Sequence, residues 1–446
     1  MAGRVCARAG VSIPTGLIPA LVNARLAEHT PDGLLLAHQI LCKSLWRAAA
    51  RGGRLAHHHA ICASVLAAAE VRTLSLLERI GAHLCGAGDV ARGVRALIRA
   101  ADAQYENGDI SESLAILDRA QAHLNQAPDR NLLAEITTLT VRCVIHRRDH
   151  ARIDSVVALL DEMLLRDLDP GVRRAAQTAC AQACKWRGRY DEAEARYERA
   201  ILEGPPDDLA AQRIHNGLGD VAYFRGDLTR AERWYRQVVE SPASDDRVRL
   251  RAAQSLGDVA IARGKLEDAR RYLHQAMLLV AASNSIGPGI SVRNSLAEVE
   301  RAAGNLATAR TLYEGVHRDL DRMGSPYAVI VAINLASTDL LEGDLVAARA
   351  RLVPALVEGS RLPHAQSAVS SGLAAMIELE ARSHDAEAAQ RCLQELMPTL
   401  APDRLLPQDV PDHLAAAAQA LKSVAPAISE QIQQFADETR RRRGAQ

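Results

Sequence analysis

A short phrase recurs along the chain at nearly constant spacing, and that recurrence limits the fold more than any other feature. It reads GDLTRAERWY from Gly226, GKLEDARRYL from Gly264, GNLATARTLY from Gly304 and GDLVAARARL from Gly343. Earlier copies read GRYDEAEARY from Gly188 and GDISESLAIL from Gly108. Gly188, Gly226, Gly264, Gly304 and Gly343 stand 38, 38, 40 and 39 residues apart, and Gly108 precedes Gly188 by two such periods. The missing turn is expected near Arg148, in HRRDHARIDSVVALL, and a last one near Ser383, in EARSHDAEAAQRCLQEL. A fixed period of this length marks a repeat array, in which one supersecondary unit stacks on the next.

Each phrase predicts a helix, a turn and a second helix. In IHNGLGDVAYF, before Gly226, Leu218 and Gly219 take the buried side of one helix. After the turn, Ala231, Tyr235 and Val239 are spaced by four, which places them on one helical face. The turn glycine can end the first helix in the left-handed conformation at little steric cost. Asp109, Asp227, Asn305 and Asp344 follow it directly and are suited to cap the next helix. Ala193, Ala231, Ala269, Ala309 and Ala348 share one offset, where a small residue lets two helices approach closely. No alternating strand pattern is evident, so the expected class is all-α.

These residues resemble the tetratricopeptide repeat family. Leu218-Gly219-Gly226-Ala231-Tyr235 and Leu256-Gly257-Gly264-Ala269-Ala276 follow its pattern closely, and the units around Gly304 and Gly343 follow it nearly as well. The period is about 40 rather than about 34. The resemblance covers roughly residues 90–400 and implies a right-handed solenoid of about eight helical hairpins. Its first helices would line a concave surface for a partner protein or peptide. By offset from the turn glycines, the lining residues would be Thr178, Gln182, Lys185 and Trp186, then Arg213, Asn216, Asp220 and Tyr223. Arg251, Gln254 and Asp258 follow, then Asn294, Glu298 and Arg301. Asn, Gln and Asn share one offset in three repeats, Asp, Asp and Glu a second, and Arg213 and Arg251 a third. Amides can hydrogen-bond an extended backbone, and arginine can grip a carboxylate.

Residues 12–85 carry a weaker likeness to the helical segment that follows the nucleotide-binding module of bacterial signal-transducing ATPases. Arg54, Leu55, His57 and the Ala87-Gly88-Asp89 turn match that order. The likeness implies the sensing half of such a protein without its ATPase. There is no GxxxxGK[ST]: Gly264-Lys265 runs into Leu266. The expected organisation is a helical region over 1–90, the array over 91–400 and capping helices over 401–446. The last segment ends in the Arg440–Arg443 run, read as a solvated tail.

Composition removes several functions. The 446 residues hold 54 Lys+Arg and 54 Asp+Glu, so no basic footprint for nucleic acid or for an anionic membrane exists. Aromatics are 3%, too few for a base-stacking platform. The eight cysteines (Cys6, Cys42, Cys62, Cys85, Cys143, Cys180, Cys184, Cys392) form no CxxC pair and read as reduced thiols. Pro14 and Pro19 interrupt any signal-peptide core after Arg4 and Arg8, and no apolar run spans a membrane, so a cytoplasmic protein is expected. Successive helical side chains point about 100° apart, so His57, His58 and His59 cannot share one metal. Cys180 and Cys184 sit where small residues pack. Gly86-Ala87-Gly88-Asp89-Val90-Ala91 fits a dinucleotide fingerprint only in letters, because a helix precedes it. No HExxH, GxSxG or paired-carboxylate motif appears. No catalytic residue, metal or cofactor is therefore expected. Two readings lead: a non-enzymatic scaffold, or a ligand-sensing regulatory chain working with a separate ATPase or output chain; an enzyme with an unfamiliar site is a remote third.

Overall fold

The computed structural model describes residues 7–444 except 9, 11, 31–32, 69–73, 126–127, 148, 206–207, 284–285, 326, 363–364, 401–405 and 408. The chain falls into two compact units, residues 1–187 and 188–446.

Unit one begins with α1 (Leu17–Asn23) and an antiparallel hairpin of β1 (Ala27–Thr30) and β2 (Gly33–Leu36), in which Ala27 pairs with Leu36 and Thr30 with Gly33. This pair of strands departs from the purely helical expectation. Each strand has four residues, too short to show alternation, but Pro-Asp before Gly33 is a turn signal in the sequence. Helices α2 (Gln39–Arg51), α3 (Leu55–Ala67), α4 (Leu74–Gly86), α5 (Val90–Glu106), α6 (Ile110–Leu124), α7 (Arg130–Arg147), α8 (His150–Leu164) and α9 (Pro170–Trp186) follow.

Unit two runs α10 (Tyr190–Leu202), α11 (Leu209–Phe224), α12 (Leu228–Glu240), α13 (Asp246–Ala262), α14 (Leu266–Ser283), α15 (Ile286–Ala302) and α16 (Leu306–Arg322). It continues through α17 (Ala328–Glu342), α18 (Leu345–Gly359), α19 (Gln366–Arg382), α20 (Ala386–Leu396), α21 (Val410–Leu421) and α22 (Pro426–Gly444). The last two are the capping pair expected from PDHLAAAAQALKSV and the segment after it.

The turns form as their residues dictate. Gly88, Gly108, Gly226, Gly264, Gly304 and Gly343 have φ between 70° and 90°. Asp89, Asp109, Asp149, Asp227, Asp344 and Asp385 each accept a backbone N–H of the helix that follows. Asp149 and Asp385 start the two degenerate units expected near Arg148 and Ser383; Arg148 itself lies outside the described residues. Asn305 is the exception to the capping expectation. It makes no side-chain cap bond, and its Nδ2 instead donates back to Glu300 Oε2 at 2.7 Å. At the last turn His384 stands where most repeats have glycine, and its φ is 62°.

Within a hairpin the two helices meet at small residues. Ala231, Ala269, Ala309 and Ala348 are fully buried, as are Tyr197, Tyr235 and Tyr313 on the second helices. The Tyr235 ring lies over Gly219: a Cβ built there would stand 2.5 Å from ring carbon Cε1. Successive first helices α11, α13, α15, α17, α19 and α21 touch one another, whereas the second helices α10 to α20 approach each other much less. The more closely packed layer lies on the inside of the curve, so the first helices form the inner face of unit two.

Neighbouring repeats of unit two are also pinned by ion pairs from the sixth residue after each turn. Glu194 accepts Arg225 at 2.7 Å and Glu232 accepts Arg263. In the next three repeats the polarity is reversed: Arg270 reaches Glu300 at 2.8 Å, Arg310 reaches Asp339 at 2.7 Å and Arg349 grips both oxygens of Glu380.

Gly219→Ala is expected to cost about 1–3 kcal/mol, since a rigid ring must move. His384→Gly should instead stabilise by roughly 1 kcal/mol, relieving a left-handed non-glycine residue. Urea unfolding midpoints of the full chain check both.

Candidate partner-binding face of unit two

Ten of the fourteen candidate residues lie in unit two, while Thr178 and Gln182 stand on α9 in unit one. Lys185 and Trp186 end α9 in unit one, and the Trp186 ring packs against the cluster that contains Val141, Val144 and Cys180. Tyr223 is half-buried against the core around Ala222 and Tyr235, with Phe224 edge-on at 5.6 Å. These aromatic rings are thus mainly packing elements. Phe224, 43% exposed, stacks on Tyr190 at 6.0 Å.

On the inner face, the residue six before each turn is acidic in four of five repeats: Asp220 on α11, Asp258 on α13, Glu298 on α15 and Glu378 on α19, with Ser337 on α17. Each acid accepts a hydrogen bond from the next first helix. Asp220 accepts Arg251 of α13 at 2.7 Å, and the Tyr235 hydroxyl at 2.8 Å. Asp258 accepts Ser295 of α15 at 2.8 Å. Glu298 accepts Asn334 of α17 at 3.4 Å, besides Asn294 of its own helix at 3.0 Å. Glu378 lies 2.6 Å from His413 Nδ1 of α21. The amides behave alike: Asn216 donates to the Val248 carbonyl at 3.1 Å and Gln254 to Ser291 at 2.6 Å. The recurrence that singled these positions out in sequence therefore has a packing reason. It staples adjacent first helices.

Arg213 is different. Its side chain is 56% exposed and stands 3.8 Å from Asp245, a separation too long to be a strong tie. Arg301 lies 3.7 Å from Asp409, which heads α21 and also accepts Ser371 at 2.8 Å. Arg301 therefore joins α15 to the capping pair.

Charge is unevenly compensated along this column. Burial pushes the Asp258 carboxyl up to about 6, with nearby Asp220 adding to the shift and the Ser295 hydroxyl opposing it. Burial and then the Asp258 charge push Glu298 up to about 7, against the pull of Arg301. Asp409 moves the other way: burial would raise it, but Arg301 and His413 hold it below the usual carboxylate range.

No protein-family profile matches the chain, and no curated protein sequence does. Solved structures do. A Rap protein complexed with Competence and Sporulation Factor superposes with a TM-score of 0.63 at 10% identity, over 79% of this chain and 99% of that one. NprR in complex with its cognate peptide NprX gives 0.53 at 12% identity, over 79% and 98%. A signal-transduction ATPase with a tetratricopeptide repeat sensor, from Pyrococcus horikoshii, gives 0.60 at 11% identity, over 94% of this chain and 61% of that one. The fold is that of a tetratricopeptide-repeat array.

Other motifs resolve structurally. His59 Nδ1 lies 2.8 Å from His83 Nδ1 on the next helix, one nitrogen donating to the other, while no group of three or more metal-ligating side chains occurs among the described residues. Cys180 and Cys184 are fully buried. The glycine-rich turn at Gly86–Ala91 joins α4 to α5, with Asp89 as a cap. No described helix is long and apolar enough to cross a membrane. Sequence reasoning missed the donors Ser295, Asn334 and Ser371 and the Arg301–Asp409 tie. Inter-helix donors vary in type and offset, so no periodic signal reveals them.

Both Asp258 and Glu298 have folded pKa values above their unfolded ones. Their contribution to stability is therefore complete below about pH 4 and is lost as pH rises through about 6 to 7. Glu298→Gln should melt above wild type at pH 8, by roughly 2–4 °C per kcal/mol gained, with the gap closing by pH 5. A gap that widens towards pH 5 would show that Glu298 is stabilised as a carboxylate.

Proposed function

We propose that the chain is a non-enzymatic regulatory scaffold whose inner face in unit two binds a partner protein or peptide. The observation that carries this reading is the repeated polar lining of that face. Gln254, Asp258, Asn294 and Glu298 remain partly exposed on successive first helices, beside the exposed Arg213. Such rows present hydrogen-bonding groups at a regular interval along an extended guest. The likeness to Rap and NprR, solved with Competence and Sporulation Factor and with the peptide NprX, supports it. The absence of any nucleophile, metal or phosphate-binding motif in the sequence is consistent with binding rather than chemistry.

A second reading keeps the same face but assigns the chain to a sensor that works with a separate ATPase or output chain. The Pyrococcus ATPase supports it, because that comparison reaches 94% of this chain, well beyond the repeats.

Tagged full-length protein, Arg213→Ala and Asn216→Ala are compared by affinity purification with mass spectrometry. Arg213→Ala should lower recovery of the specific partner about tenfold, equivalent to about 1.4 kcal/mol, with helix content unchanged. Asn216→Ala should lower it less. Arg251→Ala is a poorer probe, because it also strips the cation from Asp220, which is 7% exposed. Equal recovery by both variants would move the contact off the inner face. The partner's identity separates the readings: an ATPase or output protein favours the sensor.

A further inference from the structure

The acids of the inner face are not equally matched by cations. Asp220 has Arg251 at 2.7 Å, Asp409 has Arg301 at 3.7 Å, and Glu378 has Arg382 at 3.3 Å together with His413. Asp258 and Glu298, side by side in the column, are held only by neutral donors: a hydroxyl and two amides. Those bonds use Asp258 Oδ1 and Glu298 Oε1. Among the described residues no protein donor is bonded to the second oxygen of either carboxylate. Arg301, the cation felt by Glu298, is shared with Asp409.

A second set of observations points the same way. Asn216, 4% exposed, spends its Nδ2 on Val248 and leaves Oδ1 without a partner. Asn294 donates to Glu298 and leaves its own Oδ1 without one. Ser337, fully buried at the next position of the acidic column beyond Glu298, has an unpartnered hydroxyl. Buried polar atoms are rarely left this way, because each costs desolvation with no return. Most of the unused capacity is for accepting, so a complementary guest is rich in donors and carries positive charge. Guanidinium and ammonium groups meet both requirements, and guanidinium pairs with a carboxylate through two parallel bonds.

We propose that Asp258 and Glu298 form a subsite for the guanidinium or ammonium group of an extended peptide, selecting partners with arginine or lysine at that point. This rests on the peptide-binding reading above and adds to it the chemistry of one contact. The amides Asn216, Gln254 and Asn294, one helical turn before the acids, form a row beside them that marks the track of the peptide backbone. A free polyamine offers the same chemistry without a backbone to follow that track.

The test uses the full chain and fluorescein-labelled peptide pools read by anisotropy. Pools share randomised small flanking residues and a fixed central arginine, or citrulline, its uncharged near-isostere. Spermidine is the third probe. The arginine pool should bind at least tenfold more tightly than the citrulline pool, and the Asp258→Asn, Glu298→Gln double variant should abolish that preference. The amides resemble the protonated acids that burial already favours, so the variant is expected to fold, with thermal melts as the control. Equal binding of both pools, each weakened by Arg213→Ala, would overturn the subsite and leave the peptide-binding reading standing. No binding by either pool would count against both. Spermidine binding as tightly as the arginine pool would overturn the peptide as the source of the cation.

Discussion

Everything in unit two depends on how closely the paired helices approach. Where Gly219 faces Tyr235, there is no room for even one added carbon. That contact lets a full aromatic ring fill the space between two helices, and Ala231, on the same helix as Tyr235, is packed without exposure. Leu273 against Gly257 makes the same arrangement with an aliphatic side chain. Interiors at this density tolerate little change of volume. One hairpin cannot cover both of its faces, so the array must continue until a capping pair closes it. Here α21 and α22 do so, burying Leu414, Leu421, Ile432 and Ala436.

Between repeats the bonding is largely polar, in two tiers. The ion pairs from Glu194 to Glu380 pin each second helix to the following first helix. The bonds from Arg251, Ser295, Asn334 and His413 staple the first helices of the inner face. Ion pairs at exposed sites contribute little singly, but several here include a well-buried partner, such as Asp339 and Glu380. Buried acids demand partners at fixed positions. They therefore set the register of one repeat on the next more strictly than apolar contacts do.

The inner face consequently has a double character. The same side chains that set its register are in part exposed, as at Gln254, Asp258, Asn294 and Glu298. Where a staple is ionic, as at Asp220, the acid has little left to offer. At Asp258 and Glu298 the staple is neutral, and partial burial raises both carboxyls above their ordinary range. The protein holds two acids in a costly environment without matching their charge.

The sequence by itself determined the repeat, its turns and its helical pairing. Those features rest on local chemistry: a glycine able to take positive φ, an aspartate able to cap, and small residues at the closest approach. Even the degenerate turns at Asp149 and His384 were legible from the period. The candidate lining was legible as a set of offsets, but its meaning was not, because an offset does not say which neighbour a side chain meets. Only the tertiary structure decided that Asp220, Asp258 and Glu298 reach across to the next helix, and that Trp186 and Tyr223 pack into cores. Only it brought Arg301 of α15 to Asp409, more than one hundred residues later. Contacts between repeats depend on helix spacing and on side chains of differing length, and neither is written in a periodic pattern.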